Sequence, residues 1–236
     1  GLVDMGIEIN KNYLVGKTRT LDDLREKDGF DAVFVGAGAG LPKFMNIPGE
    51  NLIGVFSANE YLTRSNLMKA YDQKHSLTPL FNSEKVAIFG GGNVAMDAAR
   101  TAKRLGAKEV TIVYRRSLAE MPADKEEYEF AVEDGINFKL LTNPSEYKDG
   151  KLTLVKMELG EPDQSGRRRP IATDETFEIE CDNIISAIAS HVDEAATNFY
   201  GISVDERGKV IYNKETLESE IENVYLIGDM QSGPLT

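Results

Sequence analysis

Apolar residues follow two different rhythms along this chain, and the switches between them mark out its elements. The order is sharpest from Lys85 onward. "KVAIF" is a continuous apolar run, "NVAMDAARTAKRLG" spaces its apolar positions helically, and "EVTIVYR" is a second run. "DKEEYEFAVEDG" is a second helical stretch and "NFKLLTN" a third strand. Strand and helix in alternation are the grammar of a parallel sheet covered by helices. Upstream, "GIEINKNYLVG" alternates through Ile7, Ile9 and Tyr13 and predicts a half-buried strand. "TRTLDDLREKDG" predicts a helix capped by Thr20 and stopped at Gly29, and "FDAVFVGAG" a strand buried on both faces. The pattern then loosens through Pro42, Pro48 and Gly49, with a helix candidate in "SANEYLTRSNLMKAY". Past 150, "KLTLVKMELG" and "ETFEIE" read as antiparallel ribbon strands around the turn-rich tip "EPDQSGRRRP". "CDNIISAIAS" returns as a buried strand, and "GISVDERGKVIYN" and "NVYLIGDM" predict further strands.

Two glycine-rich stretches follow apolar runs, but only one has the context of a phosphate loop. Gly90, Gly92 and Ala95 satisfy G-x-G-x-x-A between a strand and a long helix pattern. The first glycine permits the tight turn, the second lets the backbone approach a pyrophosphate, and Ala95 lets helix and strand pack closely. Free N–H groups near Asn93 and Val94 would face the anion. Gly36 and Gly38 also alternate, but Pro42 and Pro48 interrupt any helix behind them, so this turn lacks the donors. The strand after the second loop ends in Arg115, Arg116 and Ser117, where a binder of NADH would place a carboxylate for the ribose. Guanidinium groups there suit a 2′-phosphate, so the expected nucleotide is NADP(H).

Composition narrows the remaining choices. Asp and Glu number 39 against 27 Lys and Arg, a formal charge of −12, which argues against nucleic acid as a partner. No apolar run reaches the roughly 20 residues of a membrane span, and the expected location is cytoplasmic. The single cysteine, Cys181, has strand-like flanks and is expected to be buried and inert; the two histidines lack metal-ligand spacing, so no metal site is expected. The Arg167, Arg168, Arg169 triplet reads first as a solvated hairpin end, with docking of a phosphate or acidic partner as the alternative. The chain starts at Gly1 and stops soon after "YLIGDMQSGPLT", and both ends look cut from something longer.

Taken in order, "FDAVFVGAGAGLPKFMNIPGENLIGVFSANEYL", "VAIFGGGNVAMDAARTAKRLGAKEVTIVYRRSLAEMPA", "MELGEPDQSGRRRP" and "NVYLIGDMQSGP" resemble the flavin-containing small subunit of NADPH-dependent glutamate synthase. They are equally similar to the large subunit of NADH-dependent reduced ferredoxin:NADP oxidoreductase, also described as sulfide dehydrogenase. The resemblance implies an α/β chain in which a Rossmann-like NAD(P)-binding domain is inserted in an FAD-binding domain, here truncated. It implies an FAD remnant at 1–45, a connection at 46–83, the NADP(H) domain at 84–190 with its ribbon near 151–180, and a return to the FAD domain at 191–236. By the same resemblance Gly36, Ala37 and Gly38 form the turn between the domains, and Gly228 and Asp229 the closing G-D motif near the flavin. Ala187, Ile188 and Ala189 stand where the family commonly has A-I-G. The implied activity is hydride transfer between NADP(H) and FAD in a parent whose Fe–S clusters lie outside this chain. The implied partner is a glutamate synthase large subunit or a ferredoxin-linked flavoprotein subunit. The alternative is an isolated nucleotide-binding module without activity of its own. No catalytic acid, base or nucleophile is expected.

Overall fold

The structure is a computed structural model and describes residues 1–80, 83–164, 166–206 and 208–233. In chain order its helices and strands are α1 (Leu21–Glu26), β1 (Val33–Val35), β2 (Leu41–Pro42), β3 (Val55–Ser57), α2 (Ala58–Leu62), β4 (Lys85–Phe89), α3 (Asn93–Arg104), β5 (Glu109–Val113), α4 (Lys125–Glu133) and β6 (Asn137–Lys139). They continue as β7 (Thr142–Lys148), β8 (Lys151–Pro162), β9 (Arg168–Glu180), β10 (Asn183–Ser186), β11 (Ser190–His191), α5 (Glu194–Tyr200), β12 (Val224–Leu226) and α6 (Asp229–Ser232). These elements form two compact units, one of Pro42–Ala189 and one of Gly1–Leu41 with Ser190–Leu235.

The central unit is a five-stranded parallel sheet in the order β3-β10-β4-β5-β6. From β4 the chain moves outward to β5 and β6, then returns to β10 on the other side of β4. The carboxyl end of β4 is therefore the point where strand order reverses, the place at which open α/β sheets bind ligands. One face is covered by α3, whose Ala95, Met96, Ala98, Ala99 and Ala102 are buried against Val86, Ile88, Val110 and Ile112. Small residues on that helix face are what bring it close to the strands. The other face meets the antiparallel sheet β7-β8-β9, where Tyr147, Leu152 and Leu154 pack with Ala87, Phe89, Val113 and Ile184. Both faces of β4 are thus covered, which explains its unbroken apolar run. The stretch at 46–83, expected as a connection, supplies β3 and α2, with β3 hydrogen-bonded to β10.

In the other unit, α1 forms where its cap predicts. Thr20 Oγ1 accepts from the Asp23 N–H at 3.0 Å, and the Asp23 carboxylate accepts from the Thr20 N–H at 3.2 Å. Its core gathers Leu21, Val35, Ile202, Val224, Leu226 and Met230. Three expectations are corrected here. Residues 7–13 form no strand; a 3-10 turn at Leu2–Met5 gives way to irregular backbone, and Ile7, Ile9 and Tyr13 are exposed. Alternation makes a strand only where a partner completes the ladder, and none pairs with this stretch among the described residues. The run at 30–35 is not buried on both faces: Phe34 is 66% exposed, stacked on Tyr225 with ring centroids 5.3 Å apart. β1 pairs in parallel with β12, its sole partner among the described residues. "GISVDERGKVIYN" yields isolated bridges, Val204 to Val210 and Tyr212 to Ser219, in place of a continuous strand.

Candidate functional site

The loop after β4 carries three successive glycines, each with a different physical setting. Gly90 has φ +144°, and a Cβ there would lie 2.3 Å from the Ala187 carbonyl oxygen, so the turn closes against the end of β10. A Cβ on Gly91 would lie 2.7 Å from the Tyr114 ring, which is laid across the loop while its hydroxyl donates to the Glu120 carbonyl at 2.7 Å. A Cβ on Gly92 would meet nothing within 4 Å. The first two glycines let the loop pack on its own unit, and the third leaves an open approach to the backbone.

That approach ends on α3. Gly92 is its N-cap and offers no side chain, and the first turn contains no acidic residue. The Ala95 N–H bonds the Gly92 carbonyl at 2.9 Å, leaving the Asn93 and Val94 N–H groups without an acceptor among the described residues. Twelve residues of helix place roughly half a positive charge at this end, complemented by Lys103 and Arg104 in the last turn. The Asn93 side chain is engaged sideways. Its amide donates to Asp124 Oδ2 and accepts from the Asp124 N–H, both at 2.9 Å, tying the start of α3 to the start of α4.

Arg115 and Arg116 leave the carboxyl end of β5 beside this loop. Arg115 is exposed and Arg116 half-buried, and Arg116 Nε is buried without a hydrogen-bond partner among the described residues. The Arg116 carbonyl is fixed by the Leu141 N–H at 3.0 Å. A buried guanidinium nitrogen with no acceptor is costly, and an anion entering here would relieve it. Ser117 then begins a short 3-10 turn whose capping box is closed by Glu120: the Ser117 N–H and hydroxyl both donate to Glu120 Oε2. The Ser117 hydroxyl hydrogen bond, helped by the positive charge of Arg168, holds the Glu120 carboxyl below the usual carboxylate range.

The glycine turn at Gly36 to Gly38 and the closing G-D motif, both placed by resemblance, fall in the other unit. Gly36 to Gly38 follow β1 and Gly228 and Asp229 follow β12, so the two turns leave the ends of adjacent parallel strands. The Ile227 N–H donates to the Val35 carbonyl at 3.1 Å, and a Cβ on Gly36 would lie 3.1 Å from Ile227. Gly38 and Gly228 have φ of +75° and +63°, and a Cβ on either would meet open space. Asp229 is exposed at the first position of α6. Positions almost two hundred residues apart in the chain are thus neighbours.

The family model for pyridine nucleotide-disulphide oxidoreductases matches residues 4–236. The chain belongs to this family. Among its relatives, the putative oxidoreductase YgfK of Escherichia coli K12 is 40% identical over 91% of this chain and 20% of its own length. The glutamate synthase [NADPH] small chain of the same strain is 34% identical over 88% of this chain and 46% of its own. The chain therefore spans a fifth to under a half of the length of these two relatives. The fold matches that of Mycobacterium tuberculosis FprA, solved in complex with NADPH, with a TM-score of 0.77 at 20% identity over 95% of this chain and 63% of FprA. The expected α/β fold and the resemblance to the glutamate synthase small subunit both stand.

Sequence reasoning found the loop, the helix and the arginine pair because they are contiguous. It missed the Tyr114 contact on Gly91, the Asn93–Asp124 clamp and the Glu120 cap. The S-x-x-E spacing of Ser117 and Glu120 was the one local signal available for these. Cys181 is buried, bonded to the Asn183 carbonyl, and pushed up to about 12 by burial. No helix among the described residues is long and apolar enough to cross a membrane.

Proposed function

We propose that this chain is the NADP(H)-binding part of an FAD-dependent oxidoreductase that passes hydride between NADP(H) and FAD. The observation that supports this most is the open backbone at Gly92 and α3, placed at the sheet's reversal point with Arg115 and Arg116 at the end of the next strand. The N–H groups of Asn93 and Val94 would hold the pyrophosphate, and Ala95 keeps the helix close enough to present them. Gly90 sets the turn. Arg115 and Arg116 would bind the 2′-phosphate, with the unpartnered Arg116 Nε as a donor in waiting. Gly38, Gly228 and Asp229 would line the flavin: the two glycines leave open space, and Asp229 is an exposed acceptor for a hydroxyl.

When bound, the flavin supplies the hydride chemistry, and the protein's part is to bind, orient and exclude competitors. The chain holds a single cysteine, so no redox-active disulfide forms within it. A parent resembling the glutamate synthase small subunit or a ferredoxin:NADP oxidoreductase would hand electrons to a partner subunit and work in the cytoplasm. Its Fe–S clusters would lie outside this chain.

Calorimetric titration with NADPH and NADH tests the nucleotide assignment. Arg115→Ala with Arg116→Ala should cost about 1.5–3 kcal/mol of NADPH binding per charged hydrogen bond lost and leave NADH nearly unchanged. Equal affinity of the unaltered chain for both nucleotides would refute the arginine argument. A visible spectrum of the purified chain, with or without added FAD, reads the flavin assignment directly. Nucleotide binding without any flavin would favour the isolated module.

A further inference from the structure

Residues 117–124 join β5 to α4, and on the way they are tied back to the glycine loop. The Ala123 N–H donates to the Gly91 carbonyl at 2.9 Å, and Asp124 exchanges two hydrogen bonds with the Asn93 side chain, both at 2.9 Å. A third tie comes from Tyr114, the residue directly after β5, whose hydroxyl donates to the Glu120 carbonyl at 2.7 Å. The segment is a strap across the start of α3.

The bond from Ala123 fixes the direction of a neighbouring N–H. In a trans peptide the carbonyl and the following N–H point opposite ways, and no peptide bond among the described residues is cis. Because the Gly91 carbonyl faces Ala123, the Gly92 N–H faces away from the strap. It has no acceptor among the described residues, and neither do the N–H groups of Asn93 and Val94 that follow it. All three residues are half-buried, and a Cβ on Gly92 would meet open space.

The glycines cannot hold that peptide plane by themselves, since a backbone without Cβ visits both signs of φ. Tyr114 supplies the restraint from outside the loop. Its ring lies 2.7 Å from where a Gly91 Cβ would stand, and both residues are buried. Ring and strap therefore hold Gly91 together, one by packing and the other by a hydrogen bond to its carbonyl. Order already present in the free protein lowers the entropy cost of binding later.

We propose that Tyr114 is a positioning residue for the pyrophosphate of the dinucleotide. It holds the strap against the loop and so keeps the Gly92 N–H turned outward as a third donor beside those of Asn93 and Val94. The inference rests on the nucleotide-binding reading above and adds to it a residue that need touch no ligand. NADPH and NADH share the pyrophosphate, so Tyr114 acts on both alike, unlike Arg115 and Arg116.

The test is calorimetric titration of Tyr114→Phe and Tyr114→Ala with NADPH, NADH and adenosine 2′-phosphate, which lacks the pyrophosphate. Tyr114→Phe loses only the hydroxyl and should weaken both dinucleotides about threefold, whereas Tyr114→Ala loses the ring as well and should weaken both about tenfold or more. Adenosine 2′-phosphate should stay within about twofold, which a general loss of structure would not allow. In the amide NMR spectrum of the unaltered chain, the Gly92 proton should move downfield with those of Asn93 and Val94 when NADPH is added. Unchanged dinucleotide affinity in both variants would overturn the proposal, as would a Gly92 signal that stays in place or an equal loss for adenosine 2′-phosphate. Should Tyr114→Ala unfold, Tyr114→Phe and the Gly92 signal decide. Arg115→Ala with Arg116→Ala separates the levels, because it should weaken NADPH and adenosine 2′-phosphate and spare NADH. If it does so while the Tyr114 variants change nothing, only the positioning role falls; if the unaltered chain binds neither dinucleotide, the nucleotide reading falls with it.

Discussion

Ala189 has a Cβ, yet its backbone lies at φ +148°. That region is adopted freely by glycine and at a cost of about 1–3 kcal/mol by residues with a Cβ. The conformation is held from both sides, because the Ala189 carbonyl accepts from the Lys43 N–H at 3.0 Å and β11 starts at the next residue. Ala189 is exposed, so deleting its methyl sacrifices little packing. Ala189→Gly should therefore relieve the strain and lose only the unfolded-state term, about 0.4–1 kcal/mol. The net expectation is a gain of about 0.5–2 kcal/mol, with each kcal/mol raising the midpoint of a chain this size by about 2–4 °C. Ala187→Gly is the control: Ala187 is half-buried against the core and has no positive φ, so the same substitution there should destabilise. Urea unfolding followed by tyrosine fluorescence, with the transition of the central unit fitted by itself, gives both values. A loss at Ala189 equal to that at Ala187 would refute the strain argument.

Gly90→Ala and Gly92→Ala should part company. The first forces a Cβ to 2.3 Å from a backbone oxygen at positive φ and should cost at least about 2 kcal/mol of stability in a denaturant melt. The second should fold normally but lose more than about tenfold, about 1.4 kcal/mol, of NADPH affinity by calorimetry, since its methyl fills the open approach. Cys181, with its thiol pushed up to about 12, should resist a thiol-reactive chromophore at neutral pH in the native chain and react fully in denaturant. Rapid native labelling would show that the junction between β9 and β10 opens. Asn93→Ala should remove both hydrogen bonds between the start of α3 and Asp124 and cost about 0.5–1.5 kcal/mol of stability, read by thermal unfolding.

The legible parts of this protein are those in which one short stretch sets its own environment. "KVAIF" is buried on both faces because helix and ribbon elements both cover β4, and its apolar run says so directly. The same kind of run at 30–35 misleads: β1 has one strand beside it among the described residues, and Phe34 lies open. Local sequence records which residues tolerate burial, whereas covering them depends on distant chain. The alternation at 7–13 fails for the same reason, since a strand is a property of a pair. At the candidate site, Gly91 lies outside the glycine motif and is explained only by the Tyr114 ring over it. Away from the site, Arg168 belongs to a tip that reads as solvated surface, and the hydrogen bonds that anchor it to the Gly160 and Leu159 carbonyls arise from the pairing of β8 with β9.

The pairing of β1 with β12 also sets an order of events in time. Val33 finds its partner only when Val224 exists, whereas every strand of the five-stranded sheet lies between Val55 and Ser186. At roughly 5–20 residues per second, a ribosome needs on the order of ten seconds to travel from Leu41 to Ser190. During that interval the strands of the central sheet are all present while β1 still lacks β12. The apolar "FDAVFV" is therefore the stretch whose burial must wait for the distant β12.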